Sequence, residues 1–107
     1  GSYLRRAVEL GDAIAERSSR WVEAGLAEAR RGVGLLQGIR LASPAMGFAT
    51  AARLLERGVL ILAEGDGAVL AITPPACITD AQLSYALDAI ESVLPETTRS
   101  GAVKQGS

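Results

Sequence analysis

The chain has 107 residues, 49% of them apolar and 21% charged, with 11 basic and 12 acidic side chains for a formal net charge of -1. That length suits one domain with one core, and a near-neutral balance exerts no long-range pull on nucleic acid or an anionic membrane surface. One cysteine and no histidine exclude an intrachain disulfide, a Cys/His zinc site and a histidine-dependent nucleophile.

Gly1-Ser2 reads as an expression scar, with the domain starting at Tyr3 and running to Pro95. Leu4, Val8, Ile14, Ala15, Trp21, Val22 and Leu26 recur at helical spacing among charged residues, which predicts an amphipathic helix from about Tyr3 to about Ala29. Gly11 and the Ser18-Ser19 pair weaken it locally. Val33, Leu35, Ile39 and Leu41 then alternate and predict a first strand, in which Gln37 breaks the apolar face and Gly38 suggests a bulge or a close backbone approach. Ser43-Pro44 is a helix cap followed by proline at the first helical position. The helix is expected to run to about Arg57, burying Phe48, Ala51, Ala52, Leu54 and Leu55, with Gly58 as its left-handed stop.

Val59 to Ala63 and Ala68 to Ile72 read as two strands joined by a Glu64-Gly65-Asp66-Gly67 hairpin turn. The second is nearly free of polar residues and is expected at the centre of the sheet. Pro74-Pro75 stops it, because proline has no amide hydrogen for the ladder. Thr79 with Gln82 forms a capping box. The helix that follows carries Leu83, Ala86, Leu87, Ile90, Val93 and Leu94 on one stripe and is expected to end at Pro95. Residues 96–107 are polar and are expected to be a disordered tail. The fold class is therefore α+β, in the order α-β-α-β-β-α, with a three-stranded antiparallel sheet ordered first, third, second and packed with helices.

The residues offer little chemistry of their own. Cys77, after Pro74-Pro75-Ala76, reads as a small buried hydrophobe rather than a nucleophile. Glu9, Asp12, Glu16 and Glu23 are scattered along a helix and read as a solvated face, so no metal site is expected. Arg5-Arg6 and Arg30-Arg31 read as solvated surface rather than a nucleic-acid stripe. Gly32-Val33-Gly34-Leu35-Leu36-Gln37-Gly38 precedes a strand, where a dinucleotide fingerprint must follow one, and its last glycine is one position late. The lysine count is the most informative negative. There is one, Lys104, outside any expected pocket. No apolar run is long enough to span a membrane and no secretory signal opens the chain, so a cytoplasmic setting is expected.

Three segments together resemble a known family. Arg31-Gly32-Val33-Gly34-Leu35-Leu36-Gln37-Gly38-Ile39, Leu54-Leu55-Glu56-Arg57-Gly58-Val59-Leu60 and Val69-Leu70-Ala71-Ile72-Thr73-Pro74-Pro75-Ala76-Cys77-Ile78-Thr79 resemble, in order, three stretches of the C-terminal small domain of class III pyridoxal-phosphate aminotransferases. Ornithine, acetylornithine and 4-aminobutyrate aminotransferases are members. The resemblance covers about Tyr3 to Leu94 and implies the small domain of a fold-type I enzyme that transfers an amino group to an oxo acid or aldehyde. It implies pyridoxal phosphate in the parent enzyme, held by a lysine of a large domain upstream. The 107-residue chain is then expected to bind no cofactor and to be inactive alone, with no catalytic, cofactor-binding or metal-binding residue of its own. Its implied partner is the large domain of the same parent chain, and homo-oligomers through exposed apolar surface are expected. Ala71 falls on the substrate-facing wall by resemblance. Many members carry an arginine there for a carboxylate, a role alanine cannot take over. Arg31 matches a family arginine, for which a structural salt bridge is expected. The alternative reading is a stand-alone, non-catalytic binding or assembly module with the same small-domain fold.

Overall fold

The computed structural model describes the backbone of residues 1–106 and the side chains of residues 1–99. Seven elements follow one another: α1 (Ser2–Glu23), β1 (Ala29–Val33), β2 (Leu36–Arg40), α2 (Pro44–Glu56), β3 (Leu62–Glu64), β4 (Val69–Ile72) and α3 (Asp80–Gly106). The sheet is antiparallel and four-stranded, in the order β1-β2-β4-β3.

The expected three-stranded sheet is thus corrected. The helix predicted to reach Ala29 stops at Glu23, where Ala24 caps it and Gly25 takes φ +77°. The residues it releases, Ala29–Val33, form the edge strand β1. Gly32 at φ +101° and Gly34 at φ +56° then turn the chain, so Val33 pairs with Leu36 across a tight hairpin rather than continuing into one strand. Positive φ is cheap only for glycine, which is why the turn falls here. The next strand is also shorter than expected, beginning at Leu62 rather than Val59.

The helices gather on one face of the sheet. Alternation puts Gln37, Ile39, Leu70 and Ile72 on that face. Leu10, Ile14 and Trp21 of α1 are buried with Ile39, Leu70 and Ile72, and so are Met46 and Leu54 of α2 and Leu83, Leu87, Ile90, Val93 and Leu94 of α3. α1 lies on β1 and β2, α2 lies on β3 and β4, and α3 packs against both helices. The stripe that α1 buries is Leu10, Gly11, Ile14, Ser18 and Trp21, while Leu4 and Val8 of the expected apolar face stay exposed. In α2 the buried set is Met46, Gly47, Thr50 and Leu54, and Phe48, Ala52 and Leu55 face outward.

Two glycines inside helices mark where helix backbone meets hairpin backbone. A Cβ on Gly11 would lie 2.7 Å from the Gly34 Cα, and one on Gly47 would lie 1.7 Å from the Gly67 carbonyl oxygen. Capping follows the sequence closely. The Ser43 hydroxyl accepts from the Met46 amide, and Thr79 and Gln82 exchange side-chain and backbone hydrogen bonds, both at 3.0 Å.

The largest departure lies at the end. α3 does not stop at Pro95 but continues to Gly106. An internal proline costs a helix about 3 kcal/mol. Tertiary contacts beyond it offset that cost: Thr97 is buried with its hydroxyl 2.8 Å from that of Thr50, and Glu96 pairs with Arg53 at 2.8 Å. Residues 96–99 are therefore packed helix, not a disordered tail. The expectation for Lys104 falls among residues 100–107, whose side chains lie outside the described residues.

Candidate functional site

Two surfaces are candidates, and they meet at the end of β4. The first is the helix-free face of the sheet. Residues directly opposite one another share a face, so the register places Arg31, Gly38, Ala71 and Leu62 in one row across all four strands. Ala29, Arg40, Val69 and Glu64 form the next row. The middle of this face is low. Gly38 has no side chain, and Ala71 is small and 9% exposed. Gly38 makes no bulge; its close backbone approach is real, since a Cβ there would sit 3.1 Å from the Leu70 carbonyl oxygen. Charge stands around it, where Arg31 on edge strand β1, Arg40 at the end of β2 and Glu64 on edge strand β3 are exposed.

The second surface is a cleft of about 710 Å³ beside that face. Its walls are the segment Gly58 to Leu62, the end of β4 with Pro74 and Pro75, and the first turns of α3. Ala71 reaches it from the sheet. Thr73, Gln82 and Tyr85 supply its polar side chains, all neutral. The Tyr85 hydroxyl donates to the Arg57 carbonyl at 2.8 Å, which ties this rim to the end of α2.

Ion pairs and hydrogen bonds hold the helices that support both surfaces. Arg6 of α1 donates to Asp80 at 2.6 Å and to the Ile78 carbonyl at 2.8 Å, fixing the loop before α3. The hydrogen bond to Asp80 pushes the Arg6 pKa further above its already high value. Arg17 reaches Asp88 at 2.8 Å, and the Trp21 indole donates to Glu91 at 3.0 Å. Arg30 points to the helix side, donating to Ser18, Gln37 and the Gly32 carbonyl. Arg6 and Arg30 are thus half-buried anchors rather than the solvated surface expected of the two arginine pairs. Gln37, read from the sequence as an interruption of the apolar face, is the hub of this region. Its amide donates to the Gly11 and Gly34 carbonyls at 2.8 and 2.7 Å while its oxygen accepts from Arg30.

One expectation about a single residue is corrected. Cys77 is exposed, because it sits on the turn between Pro75 and α3 instead of under a helix. Arg31 forms no ion pair among the described residues, because its place in β1 turns it to the helix-free face, away from the acids of the helices. The acidic residues of α1 are exposed as expected, and no group of three potential metal ligands occurs among the described residues. No helix among them is long and apolar enough to cross a membrane. The cleft does not fit pyridoxal phosphate: no lysine lines it, and it presents neutral polar groups where a phosphate would need cations or converging amides.

No family model matches the chain. Over 71 residues it is 39% identical to the mitochondrial acetylornithine aminotransferase of Alnus glutinosa, a stretch covering 66% of this chain and 15% of that protein. Its fold matches a lysine aminotransferase from M. tuberculosis in the internal aldimine form, with a TM-score of 0.83 and 25% identity, over 91% of this chain and 22% of the other. It also matches acetylornithine aminotransferase from Elizabethkingia anophelis, with a TM-score of 0.79 and 27% identity, over 89% of this chain and 26% of the other. A transaminase solved with L-Ala matches at a TM-score of 0.81 and 28% identity, over 94% of this chain and 26% of the other. The chain thus spans 15% of the curated relative and about a quarter of each of these solved structures.

Proposed function

We propose, from the premise that this chain is a fragment of a class III pyridoxal-phosphate aminotransferase, that it serves as the small domain which closes one side of that enzyme's active-site cleft. The parent moves an amino group from an amino donor to an oxo acid or aldehyde. A large domain of the same parent chain holds pyridoxal phosphate on its own lysine, and the cofactor supplies the electron sink for that transfer. This chain contributes shape. Ala71 and Gly38 form a shallow floor on the helix-free face, and the adjoining cleft shields an apolar part of the substrate from water. The 107-residue chain has no catalytic residue and is inactive alone. Its setting is the reducing cytoplasm, which suits an unpaired, exposed Cys77.

The observation that carries this reading is the agreement of two independent likenesses. The sequence is 39% identical to an aminotransferase over 71 residues, and the backbone follows aminotransferases over about nine-tenths of the chain. The exposed apolar residues fit the same reading. Leu4 and Val8 on α1, Val33 and Leu36 at the β1–β2 tip, and Leu60 and Leu62 at the β3 edge are each more than half exposed, which leaves apolar side chains for a partner to cover. In the parent that partner is the large domain; in its absence two copies of this chain pair through the same surface.

The test compares two purified proteins, this chain and the longer natural polypeptide that contains it. The longer one is expected to carry the visible absorbance of lysine-bound pyridoxal phosphate and to transaminate. The 107-residue chain is expected to do neither after incubation with the cofactor and gel filtration. Stoichiometric retention of the cofactor by the short chain would overturn the reading, and so would a longer polypeptide without a cofactor-binding lysine.

A further inference from the structure

We infer that Arg31 and Arg40 together form a carboxylate receptor on the helix-free face of the sheet, above the floor made by Gly38 and Ala71. The register carries the inference. Arg31 pairs with Gly38, and Arg40 lies two residues further along the same strand, so the two arginines are diagonal neighbours on one face. Diagonal neighbours in an antiparallel pair stand about 7–8 Å apart, within reach of long side chains. Arg40 pairs with Val69 and is likewise diagonal to Ala71, which pairs with Gly38. Two long cationic side chains thus flank two positions with almost no side chain, Gly38 and Ala71.

The electrostatics point the same way. Like charges placed side by side on a sheet repel, and here no acid intervenes. Neither Arg31 nor Arg40 forms an ion pair among the described residues. The one acid on this face, Glu64, shares the Arg40 row but lies two strands away across Val69. Among the other described arginines, Arg6, Arg17, Arg20, Arg53 and Arg57 each face a carboxylate and Arg30 is held by Ser18 and Gln37, whereas Arg5 on α1 and Arg99 on α3 stand singly without an ion pair. A pair of guanidinium groups is matched in charge and in fork geometry by a carboxylate, which accepts two hydrogen bonds from each planar donor. The occupant is a small carboxylate-bearing molecule, namely the amino acid or oxo acid substrate. That assignment rests on the proposed function, which puts this face on the substrate side; the receptor itself rests only on the sheet.

The experiment titrates the isotopically labelled 107-residue chain with sodium acetate and with sodium succinate, against sodium chloride at equal ionic strength, and follows backbone amides and arginine side chains by NMR. Saturable shifts are expected at Arg31, Gly38, Arg40 and Ala71 with either carboxylate and not with chloride. Arg31→Gln and Arg40→Gln should each weaken binding about tenfold, as for loss of one charge-assisted hydrogen bond. Arg5→Gln, which removes the same charge from exposed α1, should leave it unchanged, and circular dichroism verifies that each variant folds. Shifts that chloride reproduces, that spread over all exposed arginines, or that persist in both sheet variants would overturn the receptor. Its failure is separable from that of the function. Carboxylate binding by this chain, together with a longer polypeptide that lacks the cofactor, would keep the receptor and discard the aminotransferase. The opposite pair of results would do the reverse.

Discussion

The two hairpins of the sheet meet the same packing problem and solve it differently. Each tip is pressed by a helix at a glycine: α1 at Gly11 on the β1–β2 tip, α2 at Gly47 on the β3–β4 tip. At the first tip the contact is looser and polar. Gln37 fills the gap beneath Gly34 and bonds both backbones, with Arg30 and Ser18 behind it. At the second tip the contact is steric. The helix sits directly on the Gly67 carbonyl, and the turn satisfies itself through Asp66, which accepts from the Ala68 amide. Close helix–hairpin packing thus needs a missing side chain in both cases. A buried amide becomes necessary only where the approach leaves carbonyls unpaired.

The largest expected effect breaks the steric contact. Gly47→Ala puts a methyl 1.7 Å from a backbone oxygen that has nowhere to go. It should cost about 3 kcal/mol or more, at the upper end of overpacking penalties. Urea denaturation would measure it, and an unchanged midpoint would refute the seating. Next comes Gln37→Leu, which leaves the Gly11 and Gly34 carbonyls without their donor and Arg30 without an acceptor. A loss of about 2 kcal/mol is expected, concentrated on the first hairpin. Amide hydrogen exchange should show β1 and β2 opening before β3 and β4; uniform loosening would mean that the two tips are not independent.

Gly11→Ala sharpens the comparison because two effects oppose. Alanine gains about 1 kcal/mol of helix propensity, yet its methyl would stand 2.7 Å from the Gly34 Cα. A net loss of about 1 kcal/mol is expected, smaller than at Gly47 because the approach is 2.7 Å rather than 1.7 Å. A stabilised variant in thermal melts would show that the first tip is free to move. The smallest effect is expected from Thr97→Val, which removes the hydrogen bond that ties α3 to Thr50 behind the second hairpin. About 1 kcal/mol should be lost, with the added protection loss confined to α2 and the end of α3.

Much of the architecture was legible because it is local. Helical spacing, the Ser43 cap, the Thr79–Gln82 box and the glycine turn at residues 64–67 are each decided within a few residues, and each appears in the structure. The resemblance to aminotransferases was legible for the same reason, since it rests on contiguous stretches around Gly38, Gly58 and Pro74-Pro75. Local preference fails wherever distant contacts outvote it. Ala29–Val33 looks like a continuation of an amphipathic helix, yet pairing with β2 makes it a strand. Gln37 looks like an interruption, yet two backbone carbonyls from elsewhere make its burial favourable. Pro95 looks like a stop, yet Thr50 and Arg53 hold the next turn in place.

The site divides along the same line. Residue types alone excluded a histidine triad, a zinc centre and a disulfide, because those chemistries need side chains the chain does not have. Only the strand register could put Arg31, Arg40, Gly38 and Ala71 on one face, since a slip of one residue would send each of them to the other side. Composition thus determined which reactions this chain cannot run unaided. Tertiary pairing decided which of its scattered residues stand together, because proximity across strands is set by hydrogen-bonded register and not by distance along the chain.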